Sequence, residues 1–503
     1  MAASNTFDAP RSAQPGCDIP AYATAGGWRR MASFPAVLAG ALLTTVVIFA
    51  NRSIADPDIW WHLRNAEELV RTHHVVAADA YSFTVRSAPW INHEWLGELP
   101  YYLGWQCLGL QGLYATMALA LAAIFLLLYV LAYRRSRDYK AAALACGMAI
   151  PLATVSFGPR TLLFGWVLLL LELLILQGWE RRPRGLWLLP PLFAVWVNTH
   201  GSWLIGFALL LAFAFSGCFN LRAGRIESLR RSAAQLKQLA CVLAASAAAL
   251  LLNPYGWRLV FYPFNLAFRQ KLNVSHVEEW QSPDFHLVRG KVLLVMILGF
   301  VVLGLIGQAR LRLDEVLFVL IAFYSALTYT RFLFLAAILV TPVLAAEFSL
   351  RDVSGPAARD NPWLNLGMLG AMLAIALWQV PSAAQLSSGI VAEFPVAAVS
   401  HLGVVPGNAR VLNDYDWGGY LIWNARRRPV FVDSRVDIFE YGGIFADYLD
   451  IMGLKNSLGL LDKHNIDYVL FARNKPLSYL LRHASGWRVI YEDNVAVLFE
   501  RNP

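Results

Sequence analysis

Asp56-Pro57-Asp58-Ile59-Trp60-Trp61-His62, close behind the apolar block 34–50 (FPAVLAGALLTTVVIFA), decides how this chain is read. The block is a first membrane span, and the seven residues stand where the bilayer ends. Trp belongs at the headgroup level, because its ring is apolar and its N–H polar. Insertion does not need two carboxylates and a His beside it. They are placed to meet the polar head of a lipid-borne substrate.

Composition agrees with a membrane chain. The 503 residues are 57% hydrophobic and 15% charged, with mean hydropathy +0.48, against about 25% charged in soluble domains. The net charge of +8 invites a nucleic-acid reading. That reading is excluded, because Lys and Arg fall in short loops between apolar blocks, as the positive-inside rule expects. The five cysteines (17, 107, 146, 218 and 241) form no C-x-x-C pair, which argues against a zinc or redox site.

A span needs about 20 largely apolar residues. Candidate blocks are 34–50, 112–132, 141–157, 161–178, 186–198, 202–218, 238–252, 291–308, 315–329, 332–349 and 364–381, eleven in all. The stretch 95–110 reads as an interfacial or re-entrant helix. Arg29-Arg30 and the basic clusters at 134–140, 181–184, 222–237, 310–312 and 351–359 fall on one side if the N-terminus is cytoplasmic. Residues 1–33 are then a cytoplasmic segment, 34–381 a transmembrane domain with exterior loops 51–111 and 253–290, and 382–503 an exterior domain. In that tail, β-like runs at 429–433, 466–471 and 495–499 alternate with helical patterns near 444–452, 457–463 and 477–483. This predicts a small α/β domain of about 100 residues.

The first exterior loop carries the acids. Apolar residues at 59, 63, 66 and 69–70 suit a helix lying along the membrane surface. Pro57 fits its first turn and Asp56 its N-cap. Three roles stay open for Asp56 and Asp58: a helix cap, a general base, or, with His62, ligands for a divalent cation. Further on, Trp90-Ile91-Asn92-His93-Glu94-Trp95 is an aromatic anchor or a sugar-hydroxyl site. At other span ends, Gly158-Pro159-Arg160 and Asn198-Thr199-His200-Gly201 are turns or binding points. Arg331 sits between two long apolar blocks, where an Arg needs a partner. That partner is a phosphate held through a bidentate fork or an Asp of the first loop. In the tail, Asn413–Tyr420 and Asp433–Asp437 are capped turns or strand-end ligand sites.

One span, then an exterior loop opening on an acidic motif and an interfacial helix, then many spans and an exterior C-terminal domain resembles the GT-C glycosyltransferase superfamily. Asp56-Pro57-Asp58-Ile59-Trp60-Trp61-His62-Leu63, the stretch 90–98 and Asp416-Trp417-Gly418-Gly419-Tyr420 are similar to a bacterial GT-C-like set. The resemblance implies a multi-pass protein of the bacterial inner membrane. It implies transfer of a sugar from a polyprenyl-phosphate donor to a glycan, lipid or protein acceptor on the outer face, with inversion. Asp56, opening the loop, matches the family's catalytic carboxylate, with Asp58 beside it in place of an adjacent acid. Substrate contacts are expected from His62, His93, Glu94, Arg160, His200 and Arg331. The alternatives are a lipid-linked glycan transporter or partner subunit, and a polysaccharide polymerase or ligase. Transporters place ionisable residues at midplane and show repeated halves, whereas here charges cluster outside the spans and Glu172 is the exception.

Overall fold

The computed structural model describes residue 28 and residues 31–50, 54–307, 309–349 and 361–502. Most of the expected cytoplasmic segment 1–33, and Arg351 and Arg359, lie outside these.

Each of the eleven apolar blocks forms a helix. By length and composition, four helical stretches are sufficient to cross a bilayer: Leu110–Ser136, Tyr139–Ser156, Val288–Ile306 and Thr330–Phe348. Pro362–Trp378 and Ala383–Glu393 form a fifth candidate, bent by 44° at its break. Shorter apolar helices include Phe34–Ala50, Leu162–Gly178, Trp203–Ser216 and Ala233–Ala249. Among the described residues the bundle thus combines four or five helices of spanning length with shorter apolar ones. The bent pair also carries the apolar region past residue 382, where the tail was expected to begin.

The chain opens with α1 (Phe34–Ala50), the surface helix α2 (Asp58–Thr72), α3 (Trp95–Leu108), α4 (Leu110–Ser136) and α5 (Tyr139–Ala153). Helix α2 buries Ile59, Trp60, Trp61, His62, Leu63, Asn65 and Ala66 along one face. The stretch 95–110 is α3, folded back onto α4 through Gly109, whose φ is +57°. The two helices touch so closely that a Cβ on Gly112 would stand 1.8 Å from the Gly104 carbonyl oxygen.

Next come α6 (Leu162–Gly178), α7 (Leu189–Thr199), α8 (Trp203–Ser216), α9 (Ala233–Ala249), α10 (Trp257–Arg269), α11 (Lys271–His276), α12 (Val288–Ile306), α13 (Leu313–Thr328) and α14 (Leu333–Phe348). Helix α14 is the centre of the bundle, with 12 of its 16 residues buried and α4, α5 and α13 packed on it. Strands β1 (Leu221–Ala223), β2 (Ile226–Ser228) and β3 (Leu311–Arg312) form a small sheet in loops that the sequence marks only as basic. Arg225 ties it to the bundle, donating to the carbonyls of Leu303 and Ala309 at 2.6–2.9 Å and pairing with Glu347.

After α15 (Pro362–Trp378), α16 (Ala383–Glu393) and α17 (Val396–His401), the tail is an α/β domain. Its strands β4 (Val411–Asn413), β5 (Tyr468–Ala472), β6 (Trp487–Glu492) and β7 (Ala496–Arg501) lie in the order β4-β5-β7-β6. β4 and β5 are parallel and the other pairs antiparallel. The intervening helices are α18 (Gly418–Asn424), α19 (Val436–Tyr441), α20 (Ile444–Met452), α21 (Ser457–Lys463) and α22 (Pro476–His483).

The run 429–433 makes only one bridge, Val430 with Ser82 of the first loop. The Asn413 side chain takes up its backbone, accepting from Phe431 N at 2.8 Å and donating to Val432 O at 2.8 Å. The tail therefore packs directly on the first loop. Trp60 meets Tyr420 and Phe394 edge-on, at ring-centre distances of 5.2 and 5.8 Å.

Candidate active site

A cavity of about 570 Å³ opens where the first loop, the α10–α12 segment and the tail meet. The sequence explains how the walls come together. Gly419 of the Asp416–Tyr420 motif lies against Pro57, and a Cβ there would stand 2.3 Å from the Pro57 carbonyl oxygen. Its neighbour Gly418 faces Val432 O, 2.4 Å from the same imagined atom. The two glycines let α18 touch the start of α2.

Asp56 and Asp58 have different settings. The N-cap position of α2 is Pro57, not Asp56. Asp56 still caps from one residue further out, its Oδ1 accepting from Asp58 N at 3.0 Å. Its other oxygen pairs with Arg160, which also pairs with Glu279. Asp58 lines the cavity and accepts from Trp61 Nε1 at 3.3 Å. Burial, and next the charge of Asp56, push its carboxyl up to about 6. Charge on Arg160 is favoured: burial opposes it, but Asp56 and Glu279 outweigh that and raise its pKa.

The two Asp carboxylates have different partners. Asp56 is taken by a guanidinium and a helix terminus, Asp58 by Trp61 and the cavity. Among the described residues no group of three or more His, Cys, Asp or Glu fits a metal ion.

His93, Glu94, Arg160 and Arg331 line the cavity with Asp58. His62 and His200 stand behind the wall. His62 turns Nδ1 to Glu98 at 3.0 Å and Nε2 to Glu94 at 3.4 Å. Burial works against a charged His62, but the Glu98 hydrogen bond and the charges of Glu94 and Glu98 prevail and raise its pKa. His200 Nδ1 accepts from Ser202 N at 2.9 Å, so its proton sits on Nε2, 3.2 Å from Glu94. Burial brings its pKa down to about 3 and keeps it neutral. Glu94 is thus held by three imidazoles. Burial resists its charge, yet His93, then His200 and His62, pull its pKa well down. Both histidines contact Glu94, and neither lines the cavity.

Arg331 makes no ion pair among the described residues. Its guanidinium lies over the Trp280 ring, 4.3 Å from the centre. The salt bridge from the first loop goes to Arg160 instead.

The tail supplies Asp414, Asp416, Asp437 and Lys475 to the same cavity. Burial, with Asp416 next, raises Asp414 to about 6; burial also raises Asp437 to about 6. These Asp residues sit in sequence runs that read equally as capped turns. No motif marks Tyr262 or Lys475, which arrive from distant segments. Trp61, Trp90, Trp280, Tyr415 and Tyr448 add aromatic faces.

The chain is a helical bundle with a cleft under a C-terminal α/β domain and the acidic first loop in that cleft. This fold is shared with solved structures. It resembles the oligosaccharyltransferase of Archaeoglobus fulgidus tethered to an acceptor peptide, at TM-score 0.52 and 11% identity over 92% of this chain and 74% of that one. It also resembles Archaeoglobus fulgidus AglB in complex with an inhibitory peptide and a dolichol-phosphate, at 0.55 and 12% over 86% and 69%. ArnT from Cupriavidus metallidurans bound to undecaprenyl phosphate aligns at 0.49 and 14% over 92% and 97%. No protein-family model matches the sequence, and no curated protein matches it.

Proposed function

We propose that the chain is a glycosyltransferase of the bacterial cytoplasmic membrane, with its cavity and tail on the outer face. It moves a sugar from a polyprenyl-phosphate carrier to an acceptor hydroxyl, with inversion. The observation that carries this reading is one cavity, at the joint of bundle and tail, holding both Asp58 and the unpaired Arg331. The fold shared with AglB, which was captured with dolichol-phosphate, supports a lipid phosphate as the donor's leaving group.

In the step, the acceptor O–H gives its proton to Asp58 as the oxygen bonds to the anomeric carbon. The bond from that carbon to the phosphate oxygen breaks, and the lipid phosphate leaves with the electron pair. It is already a stable anion, so no strong acid is required. Arg331 faces the charge gathering on it. Arg160 keeps Asp56 and Glu279 paired beside the reacting centre, and the aromatic faces pack on sugar rings.

The test is release of polyprenyl phosphate from a labelled lipid-linked sugar, with acceptor supplied in membranes. Arg331→Lys keeps the charge but loses the planar fork, and is expected to slow release about tenfold to a hundredfold. Release at the full rate would remove Arg331 from the donor site. EDTA is expected to leave the rate unchanged. A chelator-sensitive rate restored by Mn²⁺ or Mg²⁺ would show that a metal displaces or joins Arg160.

A further inference from the structure

A second cavity, of about 960 Å³, runs along α6 between α4 and α7. Its walls are apolar, from side chains such as Val130, Leu171, Leu188 and Val195. Val130, Leu188 and Val195 are exposed. At one end stand Arg134, Arg137, Arg181 and Arg182, all exposed. They come from two separate segments, the end of α4 and the turn after α6. Among the described residues none of the four makes an ion pair. Of the nearby carboxylates, Asp138 caps α5.

The arginine end lies far from the catalytic cavity. Helix α6 begins two residues after Arg160 and ends at Gly178, about 26 Å away at 1.5 Å per residue. That is close to the thickness of the hydrocarbon core. The groove is therefore an apolar slot along an apolar helix, with four guanidinium groups free of ion pairs at the end away from the catalytic cavity.

We infer that this groove binds an anionic phospholipid, its acyl chains along α6 and its phosphate among the four arginines. Apolar walls alone would suit any lipid or a neighbouring helix. The arginine cluster selects the occupant, because guanidinium forks match phosphate oxygens and basic pockets between membrane helices attract anionic headgroups. The site stands apart from the transferase reading and does not depend on it.

The test uses purified full-length protein in non-ionic detergent, titrated with phosphatidylglycerol, phosphatidylcholine and inorganic phosphate. Binding is read by native mass spectrometry and by thermal shift. Phosphatidylglycerol is expected to saturate and to raise the melting temperature, while the other two do neither. Replacing all four arginines with Gln is expected to weaken phosphatidylglycerol at least about a hundredfold. Leu171→Trp, which fills the groove and spares the charges, is expected to weaken it as well. That second variant decides the matter if the quadruple variant does not fold. Equal binding of phosphatidylcholine would overturn the proposal in favour of a general lipid or helix groove. A full effect from inorganic phosphate would reduce the site to a surface anion site. Unchanged affinity in Leu171→Trp would place the lipid elsewhere.

Discussion

Asp58→Asn is expected to cut sugar transfer by about 10²–10⁴-fold while the melting temperature holds or rises. Asn keeps the size and the Trp61 contact but takes no proton. The stability sign follows from linkage. Burial and the Asp56 charge lift the Asp58 carboxyl from 3.8 to about 6. Whatever stability its protonated form contributes is present below the unfolded value and lost as pH rises through about 6. At neutral pH the ionised carboxylate therefore costs the folded state roughly 1–3 kcal/mol, and Asn removes that cost. The same value sets the pH profile. Transfer needs the ionised base, so kcat/KM is expected to climb as pH rises through about 6 and then level off. Asp56→Asn behaves oppositely in stability, because it strips Arg160 of a buried partner, and melting is expected to fall. Melting curves and initial rates of the two variants separate base from brace. Near-normal transfer in Asp58→Asn would remove it as the base.

The sequence made the bundle legible because each apolar block is long enough to be seen without knowing its neighbours. It could not show which blocks are complete spans. Short helices such as α7 and α8 have apolar sequences, but their reach depends on how they tilt and stack. The helix after Pro57 was legible from its periodicity, and its start was misplaced by one residue because Asp56 caps from outside the usual position. In the tail, 429–433 has strand composition, yet the Asn413 side chain and the backbones of Tyr81 and Phe83 take its hydrogen bonds. β6 was missed because its apolar run, Val489–Tyr491, is short and stands between Arg488 and Glu492, with most of the strand's side chains exposed. Among site residues, Asp58, His93, Glu94, Arg160 and Arg331 stood out as charges beside span ends. His62 and His200 shared that signal, but packing buries them behind the cavity wall, a placement that a single sequence does not show. Tyr262 and Lys475 meet the cavity through contacts between distant segments, for which a single sequence carries no sign.

Arg435→Met is expected to destabilise the fold by about 3–5 kcal/mol and to abolish transfer with it. Arg435 is buried and clamps two parts of the molecule. Its Nη2 donates to Asp433 at 2.6 Å and to Asp79 of the first loop at 2.7 Å, and its Nε donates to Asp433 at 2.8 Å. Its guanidinium lies between Tyr81 and Trp90, 5.0 and 4.8 Å from the ring centres. Burial opposes its charge, but Asp433 and Asp79 prevail and raise its pKa. Met fills much of the space and leaves both carboxylates buried without a cation, the costly half of a broken ion pair. The loop side of the cavity, with Asp58, and the tail side, with Asp414 and Asp437, then lose their main polar link. Arg435→Met combined with Asp79→Asn and Asp433→Asn removes the orphaned charges, and is expected to recover much of the stability. Transfer is expected to stay low in that triple variant, because the neutral trio no longer fixes loop to tail. Thermal melts with transfer assays on the single and triple variants check both halves. Recovery of stability together with full transfer would show that the clamp holds the fold without setting the geometry of the site.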